Sequence, residues 1–243
     1  MTSLTDREYW SNYWKNYEFK KLPDKELFGK HIKKLQDAKS FIEIGGFPGE
    51  IAAYFNKKFG IEVSILDFYI DKTLVNKVEQ FYGIAENTIQ CIESDFFVFQ
   101  SGLRYDLVFS YGFIEHFEDT CDVLMRHVGL LSENGRLLAI IPNFRGINGF
   151  VQYLFDRETL QAHNLKSMVI PKLRKILIDA GLENIDVSYS KTPMIWLEPK
   201  PGTSKLLRGI IKLISYSLKL FPIPCRLLSP YIIIFAENKA LKT

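Results

Sequence analysis

The chain predicts an α/β fold, a mostly parallel sheet with helices on both faces. Three observations carry that expectation. Short apolar runs bounded by Gly, Asp, Pro or Asn alternate with stretches of helical spacing through the middle of the chain. The first run ends in a glycine-rich turn, Gly45-Gly46-Phe47-Pro48-Gly49, and opens into a helical pattern. Carboxylates, Asp67 and Asp95, stand at or just beyond the ends of the second and third runs. Strand-helix alternation joins its strands by right-handed crossovers, which leaves neighbours parallel.

The first 38 residues read as two helices, the second over 25–38 with Leu27, Phe28, His31, Ile32 and Leu35 on one side. Strands are expected at 40–44, 61–66, 88–92, 105–110 and 136–141. Helix 51–59 places Ile51, Phe55 and Phe59 four apart, and helix 74–81 places Leu74, Val78 and Phe81 together. Helix 121–131 carries Val123, Leu124, His127, Val128 and Leu131, and residues 131–135 read as a turn before the fifth strand. Beyond 141 the pattern changes to a loop with short helices over 142–164, including 156–161. A helix over 167–180 is stopped by Gly181, and two further strands follow at 185–190 and 231–236. Between them, residues 200–226 hold Lys200, Lys205, Arg208, Lys212, Lys219 and Arg226 without an acid.

Length and composition bound the function. The 243 residues suit a single domain, divided into a helical cap (1–38), a cofactor-binding core (39–142) and acceptor-side elements (143–243). A net charge of +3, from 31 basic and 28 acidic residues, argues against a dedicated nucleic-acid binder. Cys91, Cys121 and Cys225 are widely spaced, form no metal-ligand pattern and suit a reducing, cytoplasmic compartment. No metal is expected. The polar N-terminus lacks a signal-peptide core, and no apolar run approaches the ~20 residues that span a bilayer.

The turn and the carboxylates form the candidate site. Glycine lets backbone turn tightly and approach a ligand. In open α/β sheets, ligands bind beyond the carboxyl ends of the strands. Asp67 places a carboxylate where a ribose diol can donate two hydrogen bonds, and Asp95 can accept from an adenine amino group beside Phe96. The fourth run, Tyr105-Asp106-Leu107-Val108-Phe109-Ser110, continues into Tyr111-Gly112-Phe113-Ile114-Glu115-His116-Phe117, and Leu131-Ser132-Glu133-Asn134-Gly135 precedes the fifth.

The order and spacing of these motifs resemble the class I S-adenosylmethionine-dependent methyltransferases, best over residues 39–142. Glu115-His116 after the fourth strand is similar to quinone-ring C-methyltransferases and bacterial small-molecule methyltransferases. The segment from Pro142 to Gly149 resembles bacterial members associated with glycan biosynthesis, and marks Asn143 and Arg145 as acceptor-side residues. One departure stands out: Phe47 occupies the place of the family's middle glycine. The resemblance implies a Rossmann-like three-layer αβα sandwich with seven strands, one antiparallel, N-terminal helices and a helical insertion before the last strand. It implies S-adenosylmethionine as cofactor. Glu43 would then hold the methionine amino group, while Gly45, Gly46 and Gly49 shape the loop against it. Asp67 would hold the ribose, Phe68 cover the adenine, Asp95 and Phe96 read it, and Ser110 and Tyr111 line the methionine end.

Acceptor-side candidates complete the reading. His116 and His163 are candidate general bases, because histidine titrates near neutral pH, with Glu115 beside them. His31 and His127 fall on helical faces as packing residues. Tyr9, Trp10, Tyr13, Trp14 and Tyr17 form an aromatic helical face that suits either core packing or a lid over the acceptor. In 200–226 the basic residues recur on one side of a helix and Leu206, Leu207, Ile210, Ile211, Leu213, Ile214, Leu218 and Phe221 fill the remainder. Such a helix suits an anionic membrane, a lipid-linked acceptor or another subunit. The expected acceptor is a small molecule, a glycan or a lipid-linked precursor. Two other classes fit less of the pattern: an NAD-dependent oxidoreductase, which prefers a different glycine spacing, and a non-catalytic scaffold.

Overall fold

The computed structural model describes Trp14 and residues 28–197, 204–220 and 222–239. Seven strands form one sheet: β1 (Ser40–Ile44), β2 (Glu62–Asp67), β3 (Ile89–Glu93), β4 (Tyr105–Tyr111), β5 (Leu131–Pro142), β6 (Glu183–Tyr189) and β7 (Tyr231–Glu237). Their order is β3-β2-β1-β4-β5-β7-β6. Strands β1 to β5 pair in parallel, and β7 runs antiparallel to both β5 and β6. This is the expected sandwich with one antiparallel strand.

Residue alternation explains the three layers. Ile42 and Ile44 of β1 face one apolar core with Val108, Leu137, Ala139 and Ile234, while Phe41 faces the other with Leu107, Phe109, Leu138 and Phe235. A sheet apolar on both faces must be covered on both. Helices α1 (Glu50–Phe59), α2 (Lys72–Tyr82), α3 (Thr120–Val128), α4 (Ile147–Phe155), α5 (Arg157–Gln161), α6 (Ile170–Asp179) and α7 (Lys205–Leu218) complete the described α-helices.

Several boundaries differ from expectation. Helix α3 stops at Val128 and Leu131 already pairs with Tyr105, so residues 131–135 belong to β5. The turn-like composition reflects an irregularity inside the strand: the register shifts between Tyr105 and Leu107, and Asn134 adopts φ 61°. The helix expected over 25–38 is, from Phe28 onward, a 3₁₀ helix at Gly29–Leu35. The helix expected from 167 begins at Ile170, because Pro171 suits a first turn, and a 3₁₀ turn at Leu165–Ser167 precedes it. Phe81, on the helical face it shares with Leu74 and Val78, is 50% exposed.

Chain order creates the crevice. The chain runs outward from β1 to β3 and returns to β4 on the other side of β1. That reversal makes a topological switch point at the carboxyl ends of β1 and β4, where open α/β sheets bind ligands, and Ile44 lies there beside both Leu66 and Ser110.

Candidate active site

The glycine turn is packed tightly. Gly45 has φ +66°, and a Cβ there would stand 2.4 Å from Phe113 Cδ2. A Cβ on Gly46 would stand 2.6 Å from Glu43 Cγ. Gly49 has φ +96° and forms the N-cap of α1. The Phe47–Pro48 peptide is cis. Phe47, the departure from the usual turn, is 3% exposed and meets Tyr69 edge-on. Trp14 also meets Phe47 edge-on, with ring centroids 5.4 Å apart. Tyr9, Trp10, Tyr13 and Tyr17 lie outside the described residues.

Two carboxylates border the turn. Glu43 is buried on β1, and its Oε2 accepts from Ala52 N at 3.2 Å. Burial holds its carboxyl well above the usual range, with Asp67 and Glu50 adding like charge. Asp67 ends β2 and accepts from Phe47 N and Tyr69 N, each at 3.3 Å. Burial raises its pKa to about 6 against these backbone bonds. Phe68 beside it is half-buried.

The third and fourth strand ends divide. Asp95 is exposed, and its Oδ1 accepts from Phe97 N at 2.8 Å, which closes a local turn. Phe96, expected against adenine, is buried edge-on to Phe113 and His127. Ser110 is 1% exposed and its Oγ has no partner among the described residues. Tyr111 shares a hydrogen bond with Tyr231 at 2.9 Å.

Beyond β4, three acceptor-side candidates converge. Glu115 is 1% exposed, and neither carboxylate oxygen has a hydrogen-bond partner among the described residues. Burial pushes its pKa up to about 8. His116 donates from Nδ1 to Ala162 O at 2.9 Å, and His163 from Nδ1 to Thr159 O at 2.6 Å. Their ring centroids are 4.7 Å apart. Burial lowers His116 to about 3, with His163 contributing, and lowers His163 as well. His116 Nε2 and Glu115 Oε1 are 3.9 Å apart, too far for a hydrogen bond. With the imidazole neutral they form no ion pair.

The remaining candidates make contacts within the chain. Asn143 is fully buried and its amide donates to Arg226 O and Ser229 O, so it ties the end of β5 to the approach to β7. Arg145 donates to Leu165 O at 3.4 Å. His127 packs against Phe96 and Phe113, and His31 stacks on Phe235 beside Asp186. Phe113 and Tyr231 carry no motif of their own. Phe113 stood in the quoted segment after β4, and only the fold brings it onto Gly45.

No protein-family model matches the chain, and no curated protein sequence matches it significantly. Solved structures do match. An O-methyltransferase family protein from Burkholderia thailandensis is 13% identical, with a TM-score of 0.54 over 84% of this chain and 52% of that one. Phosphoethanolamine N-methyltransferase 2 from Haemonchus contortus, with phosphomonomethylethanolamine and S-adenosylhomocysteine, is 14% identical, with a TM-score of 0.59 over 89% and 56%. A SAM-dependent methyltransferase from Archaeoglobus fulgidus is 16% identical, with a TM-score of 0.54 over 88% and 97%. The chain spans about half the length of the first two. It has the fold of the class I S-adenosylmethionine-dependent methyltransferases.

Proposed function

We propose that the chain is an S-adenosylmethionine-dependent methyltransferase for a small-molecule, glycan or lipid-linked acceptor. One observation carries this reading. The Gly45–Gly46 turn leaves no room for side chains of its own, and it adjoins the Asp67 carboxylate and a buried Ser110 hydroxyl that has no partner among the described residues. A polar ligand that approaches backbone, donates to a carboxylate and meets a hydroxyl fits those residues. Glu43 would face the methionine amino group, Asp67 the ribose, and Phe68 with Asp95 the adenine end.

Bound there, the cofactor supplies an electrophilic methyl group on a sulfonium. The chain's own residues then position the acceptor and exclude water. Ser110 and Tyr111 would border the methyl-bearing end, with Arg145 on the acceptor side. Trp14, edge-on to Phe47, supports an aromatic cover at the glycine turn. As a general base at neutral pH, His116 would be weak, because its pKa near 3 limits the proton affinity it offers.

Calorimetry tests the reading. S-adenosylhomocysteine should bind one-to-one and NAD should not bind. Binding of NAD alone would favour the oxidoreductase, and binding of neither the scaffold.

A second observation bears on the acceptor. Helix α7 buries only Ile211 and Ser215, while Leu206, Ile210, Leu213 and Ile214 are 45–74% exposed. By helical periodicity this apolar stripe lies opposite Lys205, Arg208, Lys212 and Lys219. No helix among the described residues is long and apolar enough to cross a membrane. The stripe supports peripheral contact of α7 with an anionic bilayer that carries a lipid-linked acceptor. Flotation with anionic liposomes should fall when the four basic residues become Glu. The free thiols Cys91, Cys121 and Cys225 suit a cytoplasmic setting.

A further inference from the structure

We propose that Glu115, His116 and His163 form a binding site for one divalent transition-metal ion of the zinc class. The sequence masked it: two donors are adjacent and the third stands 47 positions from His116, unlike any short ligand motif. The fold closes that gap. Asn164 N donates to Glu115 O, and Asn164 Nδ2 donates to Phe117 O and Glu118 O. These bonds hold the 162–164 loop against the 3₁₀ turn at Ile114–His116.

Donor atoms of the three side chains all lie within 4.8 Å of one another. Metal bonds of about 2.1 Å place tetrahedral donors roughly 3.4 Å apart, so modest side-chain rotation closes the set. Each imidazole gives its Nδ1 hydrogen to a backbone carbonyl, of Ala162 and of Thr159. That tautomer leaves the lone pair on Nε2, and an outer carbonyl partner of this kind orients metal-bound histidines. Glu115 supplies the missing charge. Its carboxylate is buried with both oxygens unpartnered among the described residues, and Oε1 lies 3.5 Å from where a Cβ on Gly112 would stand, so it points toward the end of β4. A buried carboxylate without a partner is costly, and a cation removes that cost.

Two imidazoles and one carboxylate select zinc, cobalt, nickel or iron over magnesium and calcium, which favour oxygen donors. Three protein donors leave a coordination position open. That position can take a water or another oxygen donor.

The site does not depend on methyl transfer, so its test uses metal alone. Tag-free chain of all 243 residues is stripped with chelator and titrated with Co²⁺, read by visible ligand-field absorption, then with Zn²⁺ in competition. One equivalent should bind. Glu115→Gln and His163→Ala should each weaken binding at least about tenfold, while Cys121→Ser, which alters an exposed thiol, should not. Retained S-adenosylhomocysteine binding or an unchanged circular dichroism spectrum shows that each variant folds. Absence of one-to-one binding, binding unaltered in both site variants, or binding lost in Cys121→Ser would overturn the assignment. Metal binding without S-adenosylhomocysteine binding would count against the proposed activity alone, and the reverse against the metal site alone.

Discussion

Ser110 and Asp67 each carry a burial penalty in the ligand-free chain, and each makes a distinct prediction. The Ser110 hydroxyl is buried without a partner among the described residues. Ser110→Ala should therefore raise ligand-free stability by about 1 kcal/mol in urea unfolding, while S-adenosylhomocysteine binding weakens. A merely structural serine would move both the same way. Asp67 has a folded pKa raised by burial from 3.8 to about 6. The folded state thus holds a proton that the unfolded chain has released. The stability this contributes is fully present below the unfolded pKa and is lost as pH rises through about 6. Asp67→Asn should flatten that dependence and gain stability relative to the parent at neutral pH. Ligand affinity should run the other way. The ionised carboxylate accepts two hydroxyl bonds, so S-adenosylhomocysteine should bind more tightly as pH rises through the same range. Gly45→Ala combines a positive φ with a 2.4 Å clash against Phe113, and should cost about 1–3 kcal/mol and abolish binding, read by unfolding and calorimetry.

At the scale of elements, α7 separates packing from docking. Ile211 is 7% exposed and packs with Val151 and Ile195, so Ile211→Ala should cost about 2 kcal/mol or more. Leu213 is 69% exposed, and Leu213→Ser should change stability by no more than about 0.5 kcal/mol while reducing liposome flotation. The strands show what sequence could convey. Strand β1 was legible to the residue, because a short buried parallel strand is an apolar run with turn residues at its ends. The start of β5 was not, since Ser132-Glu133-Asn134-Gly135 carries turn chemistry and the strand tolerates it only through a register shift against β4. The site divides the same way. Glycines and strand-end carboxylates could be read locally, because backbone geometry and strand ends dictate them. The Phe113 contact with Gly45, the Phe96 core position and the approach of His163 to Glu115 depend on crossovers that bring distant segments together.

The whole molecule joins these pieces through one sheet. Strands β6 and β7 come from the C-terminal region, yet β7 pairs with β5 over seven residue pairs, from Arg136–Glu237 to Pro142–Tyr231. The C-terminal elements are thereby anchored to the strands that frame the proposed cofactor crevice. Tyr231 at the start of β7 reaches Tyr111 at the end of β4, which carries that coupling to the crevice itself. The central claim is that the crevice between β1 and β4 holds the methyl donor. A crystal soaked with S-adenosylhomocysteine tests it most directly. Electron density should run from the Asp67 carboxylate past the Gly45–Gly46 turn to the Ser110 hydroxyl, with the ribose on Asp67. Ligand density elsewhere, or none at saturating concentration, would contradict the account.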